Sequence, residues 1–204
     1  MYSPPHFSFS DHEGMLSLAR QHNFATIVSF DASMPYASHV PLLVEVTQSE
    51  VVLSGHFASS NPHCELIGSG NHLAIFHGPH TYISPTWYQD PGVPTWNYLA
   101  VHMSGSACTV DDPSELADIV NALGNLHEST NATPWIPRYA PAMLRAIRGF
   151  RIQVNRIEGK RKLSQNRSAA DRQGVVSALR SPFGKDPDNN QQAIRQLMQE
   201  GLES

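Results

Sequence analysis

The stretch Gly78–Gly105, GPHTYISPTWYQDPGVPTWNYLAVHMSG, decides the fold. Within it, Thr95 to Met103 alternates with a period of two. Asn97, Leu99, Val101 and Met103 fall on one face of a strand, and Trp96, Tyr98, Ala100 and His102 on the other. The first face is core. The second is aromatic and polar at once, which suits a planar ligand, a partner subunit, or a second small core with its polar tips hydrogen-bonded. Tyr82, Trp87 and Tyr88 lie in the same stretch, and Pro79, Pro85, Pro91 and Pro94 fix its backbone.

Working outward, Ala25–Phe30 (ATIVSF) and Ser38–Val46 (SHVPLLVEV), separated by DASMP, predict a hairpin. Pro41 has no N–H to give to a ladder, so this part of the second strand faces an edge, a bulge or a ligand, with His39 beside it. Val51–Leu53, Leu73–Phe76 and Thr81–Ser84 read as further strands. Near the C-terminal third, Phe150, Ile152 and Val154 alternate with Arg151, Gln153 and Asn155, giving a strand with one dry and one wet face.

Helices are expected at Asp11–His22, where Ser10 and Glu13 have capping-box spacing, and after Asn61–Pro62. The strongest helix runs from Asp112 to Glu128 through Leu116, Ile119, Val120, Leu123 and Leu126. A short helix follows Pro141, another carries Val175, Val176 and Leu179, and Gln191–Gln199 suits a loose terminal one. About seven strands without β-α-β alternation predict a mainly β fold with flanking helices, a closed or partly closed antiparallel barrel. The barrel domain is expected over residues 1–180, with 181–204 as linker and C-terminal tail.

The chain has 204 residues, 40% hydrophobic and 16% charged, with 15 Pro and 13 Gly, a composition of globular proteins rich in turns. A net charge of −4 argues against a surface built throughout to neutralise phosphate. Cys64 and Cys108 sit in no C-x-x-C, which favours a reducing, cytoplasmic setting. MYSPPHFSFSDHEG has neither a basic nor an apolar leader region, and no apolar run approaches membrane-spanning length, so a soluble, unexported protein is expected. The 11 His are scattered without H-E-x-x-H or paired Cys/His spacing, and no metal centre is expected.

Two stretches suit an anion. Ser59, Ser60 and Asn61 precede a helix start, where side-chain and backbone donors can meet a phosphate, or simply cap the helix. Arg156, Lys160, Arg161, Lys162, Arg167 and Arg172 gather around RIEGKRKLSQNRSAADRQG, either as a phosphate-holding group or as a solvated loop before a helix.

GPHTYISPTWY, VPTWNYLAVHMSG and KLSQNRSAADRQGV, together with ASHVPLL and GHFASSNP, strongly resemble the PaiB family, FMN-binding proteins described as negative transcriptional regulators. The resemblance runs from MYSPPHF to about Leu179. It implies a Greek-key antiparallel FMN-binding split barrel, shared with pyridoxamine-phosphate-oxidase-like flavoproteins, assembled as a homodimer with flavin at the interface. The cofactor contacts it implies are His39, Pro41 and Leu42; His56, Ser59, Ser60 and Asn61; Trp96, Asn97 and Tyr98; and Lys160, Lys162, Gln165, Asn166 and Arg167. The chain departs from the resembled pattern at Ser59, where that family usually has Arg, and at Cys64, where it usually has an aromatic. A guanidinium missing from a phosphate site costs about 1.5–3 kcal/mol.

Three functions follow from these readings. The first is a dimeric FMN-binding regulator, and the second a flavin-dependent oxidoreductase in which the ring carries the electron chemistry. The third is a haem-binding protein with a His ligand. No acid, base or nucleophile stands out. If the regulator touches DNA directly, the basic run from Arg156 to Arg172 is the candidate, against an acidic net charge and without a defensible helix-turn-helix.

Overall fold

The computed structural model describes residues 1–31, 34–47 and 50–203. Among these, eight strands form one sheet with the order β3-β2-β6-β7-β8-β5-β4, and β1 pairs with β8. The strands are β1 (Ser8–Phe9), β2 (Phe24–Phe30), β3 (Pro35–Pro41), β4 (Leu43–Thr47), β5 (Glu50–Ala58), β6 (Asn71–Ile83), β7 (Thr95–Val110) and β8 (Ile147–Lys162). The helices are α1 (His12–Gln21), α2 (His63–Leu66), α3 (Pro113–Glu128), α4 (Pro141–Arg145), α5 (Ala169–Ala178) and α6 (Asn189–Glu203). No described helix is long and apolar enough to cross a membrane.

The chain forms two compact units. One contains residues 1–15, 77–101 and those from Glu158 onward; the other contains 16–76 and 102–157.

In the second unit, β2 and β3 form the expected hairpin, registered from Phe24↔Pro41 to Phe30↔Pro35. Its turn, expected at residues 31–35, lies partly outside the described residues. The strand expected over Ser38–Val46 is two strands, and they stand at opposite ends of the sheet order. Pro41 closes β3 on that edge. Leu42, fully buried, leaves the ladder and gives its N–H to the Asn23 carbonyl at 2.9 Å. β4 then pairs with β5 from Leu43↔Ser54 to Thr47↔Glu50.

Alternation along β5 and β8 brings Phe57 and Phe150 together, with ring centroids 4.6 Å apart. Leu53, Ile152 and Met103 are equally buried, each contributing about 1.5–3 kcal/mol by leaving water. At Gly105 an added Cβ would overlap the Gln153 backbone carbonyl, so only glycine permits that approach.

Helix α3 starts as its sequence dictates. Asp112 Oδ1 accepts from the N–H groups of Ser114 at 3.0 Å and Glu115 at 2.9 Å, Pro113 occupies the first turn, and Leu116, Ile119 and Leu123 turn inward. Asp112→Ala removes both cap bonds. It is expected to lower stability by about 1 kcal/mol and the melting temperature by roughly 2–4 °C in a thermal melt.

In the first unit, β7 keeps its predicted faces: Asn97, Leu99 and Val101 are buried, while Trp96 is 53% exposed. RIEGKRK, expected to follow a strand, instead continues β8 to Lys162. Strand alternation therefore decides which way each basic side chain points. α5 opens on Ser168, whose Oγ accepts from Asp171 N. α6 is longer than the expected terminal helix, and it buries Ile194 and Met198.

Candidate functional site

Two groups of side chains carry chemistry, one in each unit. In the first unit, Lys160 and Lys162 share one face of β8, and Arg161 points to the other. Lys160, 8% exposed, donates to the Tyr2 carbonyl at 3.2 Å, with the Tyr2 and Tyr98 rings 5.5 and 5.4 Å from its Nζ. Lys162 donates to Thr95 Oγ1 at 2.6 Å and to the Trp96 carbonyl at 2.5 Å. Neither ammonium has a carboxylate partner among the described residues. Burial, and then the Lys160 charge, hold Lys162 below the usual lysine range. Two like charges surrounded by neutral oxygens and ring faces are stabilised by any oxyanion that reaches them.

Lys162 also borders a cavity of about 160 Å³ with Ser164, Asn166 and Arg167 on its polar side and Tyr88 and Phe7 on its apolar side. The Arg167 guanidinium lies 4.3 Å from the Tyr88 ring centroid and donates to the Pro91 carbonyl at 3.1 Å. Its charge is partly offset by Asp171, 3.6 Å away. Asp171 is almost fully buried and accepts from the backbone N–H groups of Gln89 at 2.8 Å and Asp90 at 3.1 Å, so the loop after Trp87 is tied to α5.

The other residues singled out in this unit divide by task. Asn97 is fully buried; its amide bonds Ser164 Oγ at 3.1 Å and Met198 Sδ at 3.3 Å, anchoring the turn from inside. Gln165 clamps the same turn, accepting from Leu163 N and donating to the Arg161 carbonyl, both at 2.6 Å. Trp96 and Tyr98 line a separate shallow groove of about 330 Å³ with His77, His80 and Leu99.

Thr95, Ser164, Tyr88 and Phe7 reach the cavity without having been named as cofactor contacts. Their signal is not periodic: Ser164, for one, sits at φ 62, a turn geometry that the string KLSQN does not announce.

In the second unit, Asn61 is a hub. Its Oδ1 accepts from His63 N at 3.0 Å and from the Tyr36 hydroxyl at 3.3 Å, and its Nδ2 donates to Ser38 Oγ at 3.1 Å. The helix that follows is a single turn, α2, and Asn61 already holds its leading N–H group. The chain of bonds continues inward. Ser38 Oγ meets His63 Nδ1 at 2.9 Å, and Ser29 Oγ lies 2.6 Å from both His63 Nε2 and His72 Nδ1. His63 stacks on Phe57 at 4.7 Å. Burial, reinforced by His72, pushes His63 down to about 4, and burial lowers His72 as well.

His39 bonds Thr26 Oγ1 at 2.9 Å across the hairpin, Pro41 ends the edge strand, and Leu42 packs in the core over Gly55. His56 is half-buried, its Nδ1 has no partner among the described residues, and burial lowers its pKa. Ser60 is exposed. Ser59 donates to the Arg145 carbonyl at 3.2 Å and lines a cleft of about 660 Å³ with Leu116, Tyr139, Arg145 and Arg148. Arg148 pairs there with Asp111 at 3.1 Å.

Residues 1–156 match the model of the family described as "Putative FMN-binding domain". The chain is also 33% identical over 213 residues to the protease synthase and sporulation protein PAI 2 of Bacillus subtilis (strain 168), covering 99% of this chain and 98% of that one. The chain belongs to the PaiB family of FMN-binding proteins.

Solved structures agree on the fold. The flavocytochrome Anf3 from Azotobacter vinelandii superposes with a TM-score of 0.61 at 11% identity, over 76% of this chain and 69% of that one. The FAD and haem binding protein from Mycobacterium smegmatis does so with 0.60 at 12% identity, over 76% and 73%. The fold of this PaiB-family chain is the antiparallel split barrel of those flavoproteins.

The cofactor of the family is FMN. The chemistry of the residues present fits it. Neither ammonium group of Lys160 and Lys162 has a carboxylate counter-charge among the described residues, and Lys162 stands beside hydroxyl, amide and guanidinium donors, as a phosphate monoester requires.

Proposed function

We propose that this PaiB-family protein is a cytoplasmic homodimer that holds FMN by its phosphate at Lys160 and Lys162 and acts as a negative transcriptional regulator. The observation that carries the reading is the pair of ammonium groups on one face of β8 without a carboxylate partner among the described residues. Bound flavin supplies one- or two-electron redox chemistry. The chain's own groups around the cavity, Lys162, Ser164, Asn166 and Arg167, are donors that bind and orient an anion. The regulator role draws support from likeness along nearly the whole length to a sporulation protein, and the cytoplasmic setting from two free thiols, Cys64 and Cys108. Ser59 remains a departure from the family pattern, and in this reading the charge comes from β8.

The test is an absorption spectrum of the purified protein with the released cofactor identified, its molar mass by light scattering, and retention of host genomic DNA fragments with and without FMN. The expected result is bound or readily taken-up FMN, a dimer mass and flavin-dependent retention of defined fragments. Turnover of NADH or NADPH with no DNA retained would replace the regulator with an oxidoreductase. A Soret band would point to haem, and a monomer would remove the dimer.

A further inference from the structure

On the opposite face of β8 from Lys160 and Lys162, a second cavity of about 310 Å³ opens. Arg161, Leu163 and Gln165 wall it from the end of β8 and the following turn, Arg172 from α5, and Met198 and Gly201 from α6. Leu163 and Met198 form a buried apolar floor. Both ends of the Gln165 amide are already used in the turn, so the donors left are the two guanidinium groups. One terminal nitrogen of Arg172 donates to the Gly201 carbonyl at 3.1 Å, while its buried Nε has no partner among the described residues. The Arg161 guanidinium makes no hydrogen bond or ion pair among the described residues, and no carboxylate lines the cavity.

We propose that this cavity is a second anion site, for a small organic oxyanion, a carboxylate or phosphate ester carrying an apolar group. The Arg161 fork, which has no acceptor among the described residues, and the Arg172 fork, which has only one nitrogen engaged, call for an oxyanion, which guanidinium groups bind in paired, charge-assisted bonds. The apolar floor calls for a hydrocarbon or ring attached to it. The cationic walls come from β8 and α5, and Met198 and Gly201 belong to α6, so an occupant ties the terminal helix to the end of the strand.

The site is separate from the FMN phosphate because Arg161 and the two lysines alternate across the strand. It stands whether or not the flavin reading does.

The test titrates the FMN-saturated full chain at low salt with phenyl phosphate and with inorganic phosphate, by calorimetry. One phenyl phosphate per chain is expected, bound more tightly than inorganic phosphate because only the ester uses Leu163 and Met198. Arg161→Gln weakens it at least tenfold with an unchanged flavin spectrum, and Arg161→Lys, which keeps the charge without the fork, falls between. Arg161 is chosen because Arg172 also secures Gly201. In the flavin-free chain carrying Lys160→Gln and Lys162→Gln, titrated without FMN, one phenyl phosphate per chain is still expected with the same affinity, so failure of the flavin site and failure of this one are told apart. No saturable binding of either probe, or Arg161→Gln binding like the unaltered chain, overturns the proposal.

Discussion

Changing Lys160 and Lys162 together to glutamine lowers FMN affinity by about two to four orders of magnitude while the protein stays folded. Each ammonium–phosphate contact is a charge-assisted bond worth about 1.5–3 kcal/mol, and the two together give that range. The folded state does not depend on them in the same way. Lys160 and Lys162 repel one another, and burial already holds Lys162 below its usual range, so removing both charges relieves the flavin-free protein.

The paired signature is therefore opposite in sign. Affinity in a flavin fluorescence titration falls, and the melting temperature of the flavin-free variant is equal to or above that of the unaltered chain. The unaltered chain also binds more weakly as salt rises, and the variant loses most of that dependence. An unchanged dissociation constant in the double variant would exclude β8 as the phosphate site.

The second large effect is on acid stability. His63 is fully buried and its pKa is lowered from 6.5 to about 4, so between those values the unfolded chain binds a proton that the folded chain refuses. Stability is complete above pH 6.5 and is lost as pH falls toward 4. A shift of this size corresponds to a loss on the order of 3 kcal/mol, with about 2 kcal/mol of it between pH 6.5 and 5, above the carboxylate range. His72, lowered in the same direction, adds to the slope.

The structural cause is the bond chain from Asn61 through Ser38 and His63 to Ser29 and His72. It offers the imidazoles neutral hydroxyl partners, and no carboxylate among the described residues bonds to either ring. Urea unfolding at a series of pH values measures the slope. His63→Gln, which keeps a polar group and cannot charge, flattens it between pH 6.5 and 5. Equal slopes in the two proteins would move the effect to other groups.

Some of this was legible in the chain. TWNYLAVHM announced a strand with a dry face, and Asn97, Leu99, Val101 and Met103 are buried as the alternation required. DDPSELADIV announced α3 with its cap, because Asp at the cap and Pro in the first turn are local devices. The motifs from ASHVPLL to KLSQNRS carried the family, and with it the split barrel and FMN.

Other parts were not legible. SHVPLLVEV reads as one strand, and Pro41 warned of an edge, a bulge or a ligand; that Leu42 would turn into the core and send the next residues to the far end of the sheet depends on partners distant in sequence. KRK read as a basic segment after the strand, either phosphate-holding or a solvated loop, and only its place in β8 separates the lysines from Arg161.

The sequence by itself determined the strand and helix periods, the capped helix start and the family, because each is written in neighbouring residues or in contiguous motifs. Only the tertiary structure decided that two lysines face Tyr2, Thr95 and Tyr98, that an arginine between them opens a second cavity, and that two histidines share one serine. The hydrogen bonds in those arrangements join residues from 34 to 158 positions apart. Their partners are chosen by sheet pairing and burial, which no local period encodes.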